Sequence, residues 1–430
     1  MVLGVTVGAV YDRPRSRISS SWAVIDRPYS GNRRDIKGGV LVWLGFAKFD
    51  LFFEHSGHQE IIPEFSRGCG PASPYLLLPV MPMTPQPAVE PLISVIVVNW
   101  NGMGLLDECL ESLARQTWQK KEFILVDNGS TDGSRELLTS WAERLPEAQT
   151  ILLPTNTGFC KANNTAFARA RGDWIALFNT DAVAEPDWLT ELVRYGDATN
   201  RIGMLASKIL FQKPADVIDK VGHLIYWDGQ NRGRGTMETD LGQYDQPEEI
   251  LWPDACAALY HRTLFEETGG FDEMFFAFGD DADLGMRARL LGWSAWYVPS
   301  AVVHHRHSAS FGAYSPLKVM LIERNRVLLA VKNFPWPLLL QNPFWTLRRL
   351  CWNAYAVLRR RGSAARFMET NGWRQTMWNL LWSYSSAVKL LPEAFRKRQI
   401  IQRTRRLSNR EMLGLLRRFQ IDVRDLTLRD

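Results

Sequence analysis

The stretch Glu122-Phe123-Ile124-Leu125-Val126-Asp127-Asn128-Gly129-Ser130-Thr131-Asp132-Gly133-Ser134 decides the fold. It opens as a short, continuous apolar run, the form expected of a strand buried on both faces. It stops abruptly in small polar residues that supply turn chemistry and a helix start. The same order precedes it. Residues 93–98 are a β-branched run, Asn101-Gly102 offers a turn, and Leu105, Cys109 and Leu113 recur at helical spacing. It also follows: Thr150-Ile151-Leu152-Leu153 leads through Asn156-Thr157-Gly158-Phe159 into a helix ending near Arg171, and residues 174–178 lead into Asn179-Thr180-Asp181. Strands alternating with helices predict an α/β fold, a mostly parallel central sheet with helices on both faces. Ligands of such sheets sit beyond the carboxyl ends of the strands, which is where Asp127 and Asp181 fall.

The bulk numbers agree with a globular enzyme-sized chain. With 430 residues, 46% of them hydrophobic and 23% charged, there is material for one large or two to three ordinary domains. A net charge of +5 gives no reason to expect nucleic-acid binding. The five cysteines (Cys69, Cys109, Cys160, Cys256, Cys351) are dispersed and form no C-x-x-C pair. That pattern points to a reducing compartment and to buried apolar thiols, away from a disulfide scaffold or a thiolate zinc site. No apolar run is long enough to span a bilayer; the nearest, residues 40–53, is interrupted by Lys48 and Asp50. The first residues, rich in Arg, Ser and Asp, do not read as a signal peptide. Residues 1–90 hold no sustained period and end in a proline-dense run from Pro79 to Pro87. They are expected to be a poorly ordered extension, with Met81 or Met83 standing as alternative natural starts.

A second stretch carries the chemistry: Phe275-Phe276-Ala277-Phe278-Gly279-Asp280-Asp281-Ala282-Asp283-Leu284. Three carboxylates in four positions behind aromatic rings repel one another, and their burial needs a cation, a donor or a proton. Alone, the cluster reads equally as a catalytic site or as the acidic start of a helix.

In order along the chain stand the strand and turn at residues 93–102, then Val126-Asp127-Asn128-Gly129-Ser130-Thr131-Asp132-Gly133-Ser134, Asn156-x-Gly158-Phe159 and Asn179-Thr180-Asp181. Gly269-Gly270-Phe271-Asp272-Glu273-x-Phe275-Phe276, Asp280-Asp281-x-Asp283-Leu284-x-x-Arg287, and the run from Pro299 to His305 complete the series. Over about residues 92–335 this series resembles the family 2 glycosyltransferases of the GT-A fold, and most of all bacterial rhamnosyltransferases. The resemblance implies that Asp127 meets the base of a nucleotide-diphosphate sugar. Val98, Asn99 and the backbone at Trp100 would line the base's other side, with Asn156, Gly158, Asn163 and Asn164 beside ribose and pyrophosphate. It implies a Mg2+ or Mn2+ ion at Asp181, with His305 completing the shell; His304 and His307 are then exposed. Asp281 matches the family's general base and implies inversion. Asp280 stands on the acceptor side, replacing the usual glutamate, and Asp283 is structural, capping the helix that follows with Arg287 as a partner. Thr180 stands where relatives commonly carry proline, and Ala255 where they often carry glycine near the donor sugar.

After residue 335 two apolar stripes appear at helical spacing. One comprises Phe344, Leu347, Leu350, Cys351, Ala354, Tyr355 and Leu358, and the other Trp373, Met377, Leu381, Tyr384, Val388 and Leu391. Arginines flank the first stripe, and a basic run from Arg396 to Arg406 follows the second. Such helices suit an anionic membrane surface, or else pack on the catalytic domain as ordinary helices. The expected organisation is an N-terminal extension (1–90), a GT-A catalytic domain (91–335) and a helical, basic, membrane-associating region (336–430). The expected function is inverting, non-processive transfer of one sugar, L-rhamnose from dTDP-rhamnose, to a cell-surface glycan or polyprenyl-diphosphate-linked acceptor. The enzyme would act in the cytoplasm, at the inner face of the cell membrane. UDP-galactose or UDP-N-acetylglucosamine as donor is the nearest alternative. A sugar nucleotidyltransferase or an inactive membrane-bound scaffold is the alternative class.

Overall fold

The computed structural model describes residues 90–306 and 314–429; residues 1–89 of the N-terminal extension, with both alternative starts and Cys69, and His307 lie outside the described residues. The alternating half consists of β1 (Ile93–Asn99), α1 (Leu106–Ala114), β2 (Lys121–Asn128), α2 (Ser134–Ala142), β3 (Ala148–Leu153), α3 (Phe159–Phe167) and β4 (Trp174–Asn179). Next come β5 (Ala182–Ala184), α4 (Trp188–Val193), β6 (Ile202–Phe211), β7 (Ile218–Lys220), β8 (His223–Ile225), β9 (Asn231–Gly233) and β10 (Glu248–Ile250). The sheet-forming part closes with β11 (Ala257–His261), α5 (Arg262–Thr268), α6 (Asp280–Leu290) and β12 (Ser294–His305).

The main sheet runs β10-β12-β6-β11-β4-β1-β2-β3, with β5 added to β12 and β7 to β6. Strands β1, β2, β3 and β4 are mutually parallel, and β12 is parallel to β6. Strand β11 runs antiparallel between β4 and β6, so the second half is mixed. Both faces of the first half are buried. Ile96, Ile124 and Leu177 join one core, while Val95, Val97, Phe123, Leu125 and Phe178 join the other. Alternate side chains of each strand thus enter opposite cores, which is why the strands read as unbroken apolar runs. This mostly parallel sheet with helices on both faces is the GT-A architecture that the motifs imply.

The carboxyl-terminal part is helical: α7 (Pro316–Asn333), α8 (Trp336–Arg359), α9 (Gly362–Thr404), α10 (Asn409–Arg418) and α11 (Val423–Leu428). Helix α9 breaks at Gly372, whose φ of 78° only glycine adopts without strain. Most residues of the apolar stripes do not pack on the catalytic part, although Tyr384 accepts from Arg326 of α7 at 3.0 Å and Leu391 packs against the main core. In α8, Phe344, Leu347, Cys351, Tyr355 and Leu358 are exposed, and in α9 so are Trp373, Met377, Leu381 and Val388. The helices dock by other residues. Ser383 Oγ donates to the Met320 carbonyl on α7 at 3.0 Å, and Arg398 donates to the Val331 and Phe334 carbonyls at 2.8 and 2.7 Å. Arg349 of α8 reaches Asp228 Oδ2 at 2.6 Å and Glu323 Oε1 at 2.7 Å. The exposed Cys351 departs from the expected buried thiol because it lies on that outward stripe. Among the described residues no helix is long and apolar enough to cross a membrane.

Candidate active site

A cavity of about 480 Å³ opens beyond the carboxyl ends of β1 and β4, with residues 276–281 and α7 contributing to its walls. Its size is that of an ordinary small-molecule site. Val98, Asn156, Gly158, Asp181, Asp280, Asp281 and His305 all line it.

One wall gathers metal-type donors. Strand β5 begins directly after Asp181 and pairs with β12, so that Ala182 sits opposite His305. His305 Nε2 is 3.2 Å from Asp181 Oδ1, and its Nδ1 is 2.6 Å from Asp219 Oδ2 on β7. Cys256 precedes β11, and the Asn179 N–H at the end of β4 donates to its carbonyl at 2.8 Å. One donor atom each from Asp181, Cys256 and His305 lies within 4.8 Å of the others. Carboxylate, imidazole and thiol converging on one point, with the second imidazole nitrogen held by a carboxylate, fit a divalent cation. Burial disfavours the charged His305 ring, yet Cys256 and hydrogen bonds to Asp181 and Asp219 raise its pKa well above the usual histidine range. Burial pushes the Cys256 thiol up, with His305 opposing.

A second cluster lining the cavity carries the acids. Helix α6 starts at Asp280 rather than at Leu284, because Gly279 takes a left-handed φ of 73° and turns the chain into the helix. The Asp281 carboxylate accepts from the Ala282 N–H at 2.7 Å, and its Oδ2 is 3.5 Å from His223 Nε2. His223 in turn lies 3.2 Å from Asp254 Oδ2, to which Lys220 donates at 2.6 Å. Burial, then repulsion from Asp281, drives the Asp280 carboxyl well above the ordinary range. Burial raises Asp281 too, while His223 pulls it back. Asp254 goes the other way: against burial, Lys220 and His223 hold it well below the usual range. Lys318 of α7 also lines the cavity, its pKa lowered to about 8 by burial and by Lys220. Asp283 is not a cap. It lies buried inside the first turn of α6, accepting from Arg287 Nε at 2.8 Å and Lys332 Nζ at 2.6 Å.

At the remaining end, Asn128 of β2 ties the loop 156–158 together. Its Nδ2 donates to Asn156 Oδ1 at 3.1 Å, and its Oδ1 accepts from the Thr157 N–H at 2.9 Å. Gly158 has φ 86°, and a Cβ there would lie 2.5 Å from the Phe276 ring. Asp127 is fully buried, with Arg135 Nε at 2.9 Å, the Ser130 N–H at 3.1 Å and Asn99 Nδ2 at 3.2 Å. Although burial works against it, the Ser130, Arg135 and Asn99 contacts keep that carboxyl below its usual range. Asn163 donates to the Phe159 carbonyl at 2.9 Å and Asn164 to the Phe271 carbonyl at 2.8 Å. Asp127, Asn99, Asn163 and Asn164 therefore frame the neighbouring loops and are not part of the cavity lining.

Sequence reasoning missed Asp219, Lys220, His223, Asp254 and Lys318, and it treated Cys256 only as a core thiol. The signal was available at Val217-Ile218-Asp219-Lys220-Val221, where charged residues interrupt a short apolar run. His304 pairs with Glu185 at 3.0 Å on the outer side, as alternation along a strand requires.

Residues 94–269 match the family model described as Glycosyl transferase family 2. Over 244 residues the chain is 26% identical to an N-acetylglucosaminyl-diphospho-decaprenol L-rhamnosyltransferase of Mycobacterium tuberculosis, covering 51% of this chain and 78% of that protein. It is 28% identical over 229 residues to the O-antigen biosynthesis protein RfbC of Myxococcus xanthus, covering 51% of this chain and 18% of that one. A mannosyltransferase from Pyrobaculum calidifontis, solved in complex with GDP-Man and Mn2+, is similar at a TM-score of 0.46 and 19% identity, covering 72% of this chain and 89% of that one.

Proposed function

We propose that this chain, which belongs to glycosyltransferase family 2 and is a glycosyltransferase, transfers one sugar with inversion from a nucleotide diphosphate to a lipid-linked glycan acceptor. The observation that carries the reading is a single cavity lined both by Asp281 and by the Asp181–His305 pair. The nucleotide end is formed by Val98, Trp100, Asn128, Asn156 and Gly158. Asp281 is the general base. Ionised and close to His223, it takes the acceptor hydroxyl proton as that oxygen attacks the anomeric carbon from the side away from the diphosphate. Asp280, whose carboxyl is pushed well above the ordinary range by burial and by the neighbouring Asp281, stands beside the base on the acceptor side. The Lys220–Asp254–His223 chain orients Asp281 from behind. Lys318 faces the departing diphosphate. A Mg2+ or Mn2+ ion held by Asp181 and His305 would neutralise charge on that leaving group.

L-Rhamnose from dTDP-rhamnose is the proposed donor and a polyprenyl-diphosphate-linked glycan the proposed acceptor, in line with the activity named for the mycobacterial relative. A membrane-bound acceptor also accounts for the carboxyl-terminal helices. Leu340, Leu358 and Trp373 are 75%, 82% and 64% exposed, alongside Arg359, Arg360 and Arg374. Apolar side chains beside arginines suit peripheral binding to an anionic inner leaflet, which makes residues 91–335 the catalytic unit and 336–430 the membrane-associating one. A panel of nucleotide sugars assayed with Mn2+ tests the donor: dTDP-rhamnose should be consumed fastest, and preferential turnover of UDP-galactose or UDP-N-acetylglucosamine would overturn that assignment.

A further inference from the structure

Cys256 is placed unlike the other buried cysteines. Cys109 lies in one apolar core and Cys160 in the opposite one, whereas Cys256, at the edge of the core that holds Cys109, also faces the cavity. Among the described residues, Cys256 is the cysteine that has both a carboxylate and an imidazole within ligand distance. Only 3% of its surface is exposed, and it lines the cavity. Its backbone is fixed on both sides: its N–H donates to Asp254 Oδ1 at 2.8 Å, and its carbonyl accepts from Asn179 at 2.8 Å. The sulfur is therefore held where it is by the frame that also sets Asp254 and the end of β4. His305, its neighbour, has Nδ1 engaged by Asp219, which aims Nε2 at the same point as Asp181. A carboxylate bracing the second imidazole nitrogen in this way is the usual outer support of a metal-ligating histidine.

We propose that Cys256 Sγ is the third protein ligand of the cation held by Asp181 and His305, and that this mixed oxygen, nitrogen and sulfur set makes the site prefer softer divalent ions to Mg2+. The inference rests on the metal reading of Asp181 and His305. Carboxylates and water suit Mg2+, whereas a thiolate raises affinity for Co2+ and Zn2+ far more than for Mg2+, with Mn2+ between. As the sulfur–metal bond forms, the thiol gives its proton to solvent. Three protein ligands would leave the remaining positions to diphosphate oxygens and water.

The test uses the full chain and Co2+ as an optical probe. Co2+ bound to the unaltered protein should give a sulfur-to-cobalt charge-transfer band in the near ultraviolet. Cys256→Ser and Cys256→Ala should lose that band while keeping the weaker visible cobalt bands and an unchanged melting temperature. Equilibrium dialysis should show Zn2+ affinity falling by about tenfold or more in Cys256→Ser, since even losing an outer support costs about that much. Mg2+ affinity should stay nearly level. No charge-transfer band, with Zn2+ affinity equal in both proteins but lost in Asp181→Asn, overturns the sulfur ligand and leaves the metal reading standing. Binding unchanged by Asp181→Asn as well overturns both.

Discussion

Asp281 and His223 lie 3.5 Å apart, close enough for one to set the working pH of the other. Burial raises the Asp281 pKa, so if it acts as the proposed base, activity should fall as pH drops through a value above the ordinary carboxylate range. The acid limb of the kcat/KM profile should sit there. Since His223 pulls Asp281 down, His223→Ala should move the limb to still higher pH; a limb unmoved by the substitution would detach His223 from the base. Gly158→Ala should also be costly, because φ 86° and the Phe276 ring leave no room for a methyl group. We expect a stability loss of about 1–3 kcal/mol and weakened nucleotide binding, read by urea denaturation and calorimetry.

Between elements, the strongest coupling is a buried charge network joining α7, α8 and the turn after β8. Arg349 bridges Asp228 and Glu323, and Arg326 contacts both. Although burial opposes it, Arg349 and Arg326 lower the Glu323 pKa to about 2. A depressed carboxyl stabilises the fold fully above its unfolded pKa of about 4.3, and the contribution fades as pH falls toward the folded value. Arg349→Ala leaves two buried carboxylates to share Arg326 alone and should cost about 3–5 kcal/mol near neutral pH, with a smaller deficit below pH ~3, where Glu323 begins to protonate. A pH-independent loss would contradict this. At this scale the sequence was legible wherever a continuous apolar run or one helical period dominated: strands β2 and β4, and the long helices α8 and α9. It was silent on which face of α8 packs, because the docking side is built from Arg349 and Ala356 instead of the apolar stripe. It offered only the interrupted run at residues 217–221 for Asp219 and Lys220 and nothing for His223 and Asp254, which come from short strands and loops between β6 and β11 that carry no period. Only tertiary folding brings them to Asp281 and His305.

For the molecule as a whole, a sheet-borne cavity and an outward apolar, arginine-flanked helical surface belong to one chain. Replacing Leu358, Trp373 and Leu381 together with glutamine should abolish flotation with anionic liposomes and leave the melting temperature unchanged, since these side chains are exposed. Undiminished flotation would remove the membrane role from α8 and α9. The central claim is that one carboxylate, Asp281, performs the proton transfer in a cavity whose nucleotide end is separate from it. Asp281→Asn keeps shape and hydrogen bonding but removes the base. Measured together, sugar transfer should fall by about 10²–10⁴-fold while nucleotide-sugar affinity by calorimetry stays within about twofold. Near-normal turnover by the variant would contradict the account.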